Sequence, residues 1–231
     1  MATFGAQSVG MDTTTTATSL PPRFALDTDP RRLFSTVVAT ATDVIGRVRP
    51  EQLGDPTPCT EYTVRDLLGH LLGVLPRIAA MGRNTDPMSA GNEPPVVADD
   101  AWLATWVAAA ADAEAAWRDD AALERTITLP WATDAGAVAL LGYASEVTVH
   151  TWDVATATGQ QPAWNDEAVG LMLRLMRSWL PGEGRAEIFA AVHEKMGAAA
   201  EGMPDPFAEV VPVPADAPLI DQLVAWNGRR P

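Results

Sequence analysis

The chain has 231 residues, of which 47% are hydrophobic and 20% charged, and a formal net charge of −14. These proportions describe a globular protein with one substantial core, and the acidity sets it against phosphate backbones, so nucleic acid and anionic membranes are excluded as natural partners. A single cysteine, Cys59, allows no intrachain disulfide and points to a reducing, cytoplasmic setting. No apolar run approaches the length of a membrane span. The first cationic residue is Arg23, and no apolar stretch precedes it, so no secretory signal is expected.

Residues 1–28 contain "MDTTTTATSLPP", a Thr- and Pro-containing segment without periodicity, expected to be a disordered leader. Asp29 and Pro30 then make a helix start, and Phe34, Val37, Val38, Ala41, Val44, Ile45 and Val48 follow at helical spacing. After the loop "RPEQLGDPTPCTEY", Thr63 and Asp66 can form a box-like cap for a second helix through "LLGHLLGVL", which Pro76 should kink or end. A long polar loop leads to a third, Ala-rich helix, "AWLATWVAAAADAEAAWRD". "RTITLP" is short and β-branched, and predicts one isolated strand. The fourth helix is predicted from about Ala135 to Thr158, stopped by Gly159. A fifth begins at the cap Asn165, a sixth covers "EIFAAVHEKMGAAA", "VVPVPADAP" is extended, and "LIDQLVAWNGRRP" holds a short final helix. The expected architecture is mainly α. A four-helix bundle occupies 29–160, and a C-terminal helical and extended addition occupies 161–231.

The fourth helix contains the chemistry-bearing spacing. Glu146 and His150, four residues apart, sit on one face, with Ala139, Gly142, Tyr143, Asp153 and Ala157 in the same sector. Small neighbours around a carboxylate and an imidazole leave room for an ion. Val147, Leu140 and Val154 lie on the adjacent, core-facing sector. Of the two other histidines, His70 sits in "LLGHLLG" between Leu67 and Val74, at the edge of an apolar stripe. If the second and fourth helices are neighbours, His70, Glu146 and His150 can converge on one divalent ion, leaving an open coordination position. The plainer alternative is two ordinary polar residues on a helix and a hydrogen-bonded packing histidine, and spacing alone leaves both open, because no HExxH-type signature is present.

Three blocks, "PTPCTEYTVRDLLGHLL", "EVTVHTWDVATATGQ" and "LIDQLVAWNGRRP", occur in order over roughly residues 30 to 231. Together they resemble the DinB/YfiT-like metal-binding superfamily, in its actinobacterial branch of mycothiol-dependent maleylpyruvate isomerase-like proteins. The resemblance implies a DinB-like bundle with a metal held by His70, Glu146 and His150. Two histidines and a carboxylate suit Zn²⁺, with Ni²⁺ or Fe²⁺ also compatible. Mycothiol is the implied cosubstrate. The implied activity is addition of a low-molecular-weight thiol to a small electrophile, ending in isomerisation or an S-conjugate. The alternatives are a thiol-independent hydrolase, lyase or cyclase, and a non-catalytic metal-binding protein. The expected partner is a small-molecule substrate, and the expected state a monomer or homodimer.

Other residues carry two readings each. Asp153, three residues after His150, can orient that imidazole, or form an ordinary helix salt bridge or a contact with the loop. Tyr143, about a turn before Glu146, can donate a proton to substrate or lie buried with its hydroxyl hydrogen-bonded. Trp152 is expected in the core. Cys59, ahead of the second helix, can feel the helix's positive end, which would lower its pKa, but a structural role is favoured. His193 falls outside the ligand pattern. Tyr62 stands where the resemblance leads one to expect Trp, a change expected to affect packing alone. The 183–202 segment is longer and more helical than the pattern, and could reshape the pocket.

Overall fold

Asp29 opens the fold by accepting a hydrogen bond from the Arg31 backbone N–H (2.9 Å), with Pro30 in the first helical turn, and α1 runs Pro30–Ile45. The structure, a computed structural model, describes residues 26–90, 95–129, 132–196 and 207–231. The expected leader therefore lies outside the described residues up to position 25. α1 buries Leu33, Phe34, Val37, Val38, Ala41, Val44 and Ile45, the 3.6-residue stripe its sequence predicts.

A 3₁₀ turn (Pro50–Gln52) leads to α2 (Val64–Arg83), whose start is a capping box: Asp66 N–H donates to the Thr63 hydroxyl and Thr63 N–H to the Asp66 carboxylate. Pro76 does not end α2. The helix continues to Asn84, which takes the left-handed conformation that closes it. Pro76 faces solvent, so the carbonyl it leaves without a helical partner can be hydrated, while buried Leu75, Ile78, Ala79 and Met81 hold the second half in place.

A second 3₁₀ turn (Pro87–Ala90) precedes α3 (Trp102–Ala116) and the short α4 (Ala121–Glu124). The strand expected alone is one arm of an antiparallel pair, β1 (Thr126–Leu129) with β2 (Ala132–Ala135), in register Thr126↔Ala135 to Leu129↔Ala132. "ATDA" has too little β-branched character to announce a strand; pairing with β1 satisfies its backbone instead.

α5 (Gly136–Ala157) follows directly, and Gly159 beyond it adopts φ +69°. α6 (Asp166–Trp179) is capped by Asn165. α7 (Arg185–Met196), an extended segment and α8 (Leu219–Trp226) complete the order.

The four long helices α1, α2, α3 and α5 form the bundle. α1 packs on α5 and α3, and α2 packs on the same two. α6 lies against α5 and α8, and α8 also reaches α5. The mainly α, DinB-like architecture is thus present, and α2 and α5 are neighbours, the condition the metal reading required. Arg185, 1% exposed, ties the C-terminal half together: its guanidinium donates to the carbonyls of Pro181, Ala208 and Trp226 at 2.8, 2.8 and 2.6 Å and lies over the Trp226 ring. Among the described residues no helix is long and apolar enough to cross a membrane.

Candidate metal centre

α2 presents His70 toward α5, and α5 presents Glu146 and His150 one turn apart. His70 Nε2 lies 3.0 Å from Glu146 Oε1, and the two imidazole rings meet edge to face with centroids 4.7 Å apart. One ligand atom from each of the three residues falls within 4.8 Å of the others. Donors on one tetrahedral ion with bonds of about 2.0–2.1 Å stand about 3.3 Å apart, so the His70–Glu146 spacing needs little adjustment. All three side chains are only partly buried, which leaves one side of the group accessible.

Asp153 meets His150 and, in place of an ordinary helix salt bridge, pairs with Arg229 of the C-terminal segment. It is fully buried; its Oδ2 sits 3.1 Å from His150 Nδ1 and 3.0 Å from the Arg229 guanidinium, which also reaches Oδ1 at 3.3 Å. With the proton on Nδ1 and held by Asp153, the Nε2 lone pair of His150 is free for a metal. Burial pushes the His150 pKa down; Asp153 opposes this, but the charges of His70 and Arg229 add to the downward push, and the ring is neutral near pH 7. Burial pushes the Glu146 carboxyl up, but the His70 hydrogen bond, the protonatable imidazoles of His70 and His150 and the Arg77 charge together prevail, so it lies below the ordinary range and is ionised. Two imidazoles and a carboxylate are a donor set that suits a divalent ion, and these residues fit it.

A second group, Cys59, His150 and Asp153, also has ligand atoms within 4.8 Å. It shares His150, and its carboxylate already holds a guanidinium, whose charge opposes another cation. The lowered pKa considered for Cys59 is not present: burial pushes the thiol up, more than the Arg229 charge offsets.

Beside His70 opens a cleft of about 350 Å³, lined by Glu61, Tyr62, Asp66, Gly69, His70, Gly73 and Arg77. Its room does not come from the small residues of α5. Gly142 is filled by the Trp179 ring, which a Cβ there would overlap at 2.5 Å, whereas a Cβ on Gly73 of α2 would meet nothing within 4 Å. Tyr62 does more than pack: it lines the cleft with its ring 5.9 Å from that of His70. Tyr143 is buried, but its hydroxyl lacks the expected hydrogen bond among the described residues. Trp152 is in the core, and half-exposed His193 lies on α7, outside the cleft lining among the described residues.

Arg229 and Arg77 are the residues that reading the sequence missed. Arg229 follows Gly228 in the C-terminal block. Gly228 has φ +82° and ends α8 in a Schellman turn, with its N–H bonded to Ala225 O and that of Arg229 to Val224 O, and this turn aims Arg229 at Asp153. Arg77 was detectable as the lone cation within an apolar run, seven residues after His70.

The family model of the mycothiol maleylpyruvate isomerase N-terminal domain matches residues 34–155, a span holding all three candidate ligands. Two uncharacterized proteins of Mycobacterium tuberculosis, from two strains, are each 31% identical over 186 residues, covering 80% of this chain and 90% of theirs. No solved structure matches the chain. With a family model spanning more than half its length, and relatives aligned over most of the rest, the chain belongs to the mycothiol maleylpyruvate isomerase N-terminal domain family.

Proposed function

We propose that the protein is a divalent-metal enzyme, with zinc as the natural ion, that adds a low-molecular-weight thiol of the mycothiol type to a small electrophile in the cytoplasm. The observation that carries this reading is the meeting of His70, Glu146 and His150 beside an open cleft, with Asp153 behind His150. These three residues would hold the ion. When bound, it supplies Lewis acidity, which lowers the pKa of a thiol and polarises a carbonyl.

The chain's own residues prepare the site. Asp153 fixes the tautomer and tilt of His150, and Arg229 fixes Asp153. Glu146 is ionised, so no proton competes for its oxygen. Tyr62 and the glycines of α2 shape a space large enough for a small substrate.

The test is turnover by zinc-loaded protein given maleylpyruvate, or the electrophile monobromobimane, with and without mycothiol. Conversion that depends on both the thiol and Glu146, and is lost in Glu146→Gln, is the expected result. Turnover without thiol would move the reaction to the hydrolase, lyase or cyclase class. Metal binding with no turnover would leave a non-catalytic metal protein.

A further inference from the structure

Along α2 the cleft is a polarised trough. Asp66, Gly69 and His70, Gly73 and Arg77 follow one another on one helix face, all lining the same space. The acidic end holds Glu61 and Asp66; Arg77 stands at the other, seven residues beyond His70 or about 10 Å along the helix axis. Between His70 and Arg77 lies Gly73, over which there is open space. The Arg77 charge also acts on Glu146 and Tyr143 of α5, beside the cleft. Arg77 supplies the cationic end of the trough, and a guanidinium presents a planar fork of N–H donors matched to a carboxylate.

We infer that Arg77 is a substrate-binding residue that anchors a carboxylate, with the body of the substrate lying over Gly73 and its reacting group at His70. The orientation follows from charge: Glu61 and Asp66 repel an anion from the opposite end, so the carboxylate has one favourable direction. Gly73 then sets the size limit, because any side chain there projects into the space the substrate needs. This inference rests on the cleft being the substrate site of the reaction proposed above, but it is tested without the metal and the thiol.

The probe is succinate, with neutral succinamide as its control, titrated into metal-free protein at pH 8, where unperturbed imidazoles are neutral. The readout is the NMR shift of the Gly73 amide and the Arg77 Nε–H. Saturable shifts with succinate and none with succinamide are expected. Arg77→Gln should weaken succinate by about tenfold or more, the scale of a lost charge-assisted hydrogen bond, and Arg77→Lys by less. Gly73→Leu should abolish binding, with an unchanged helical spectrum and no loss of thermal stability. Equal titration by succinamide, or an Arg77→Gln variant that binds succinate like the parent, overturns the inference while leaving the metal and thiol reading standing. Loss of zinc binding would do the reverse.

Discussion

Tyr143 is 4% exposed and carries a hydroxyl with no partner among the described residues. A buried donor left without a bond costs stability, so Tyr143→Phe is expected to raise the unfolding free energy by about 1 kcal/mol in urea denaturation. A fall in stability would mean that the hydroxyl finds a bond in solution. His150 gives a second expectation, in the metal-free protein. Its folded pKa lies below its ordinary 6.5, so the unfolded chain takes up the proton first. The contribution of neutral His150 is complete above about pH 6.5 and is lost as pH falls through that value toward the folded pKa. Thermal unfolding of the apo protein between pH 7.5 and 5.5 should show the loss, and His150→Gln should flatten it. His150 and Glu146 were legible because helical period alone puts residues four apart on one face. Arg229 was not, since nothing in sequence order brings a residue 76 positions later against Asp153.

Among the elements, α2 tests how a helix carries proline. Its buried second half keeps it continuous through Pro76, at the loss of one backbone hydrogen bond. Pro76→Ala restores that bond on a solvent-facing position and is expected to stabilise the protein by about 1–3 kcal/mol, read by chemical denaturation. The caps at Asp29, Thr63 and Asn165 could be read from sequence because each is a local agreement between a side chain and the next turn. The β1–β2 pair could not: β2 is a strand through pairing, and its composition belongs as readily to the start of α5. The origin of the cleft was misassigned for a similar reason. A helical wheel shows that Gly142 is small, but not that Trp179 of another helix occupies the space it leaves.

At the level of the molecule, the C-terminal segment completes a site whose candidate ligands all lie in the bundle. Arg185 gathers the ends of α6 and α8, the Schellman turn redirects the chain, and Arg229 closes on Asp153 beneath His150. Arg229→Ala leaves a fully buried carboxylate without its charge partner, which should cost about 3 kcal/mol or more of stability. The same change loosens His150 and should weaken zinc about 10–100-fold in competition against a chromogenic chelator. That the bundle would form was written in the apolar stripes of α1 and α2 and the long apolar runs of α3 and α5; that its far end would brace the candidate metal site was not, because that contact is between a turn and a buried carboxylate with no periodic signal.

If His70, Glu146 and His150 jointly hold one divalent ion, none of the three is dispensable for binding it. Elemental analysis of protein equilibrated with zinc and freed of excess tests it most directly, with His70→Ala, Glu146→Ala and His150→Ala alongside. The parent should carry one zinc per chain and each variant should lose most of it, with helical content retained. A parent that retains no zinc, or variants that each keep a full equivalent, would contradict this joint binding.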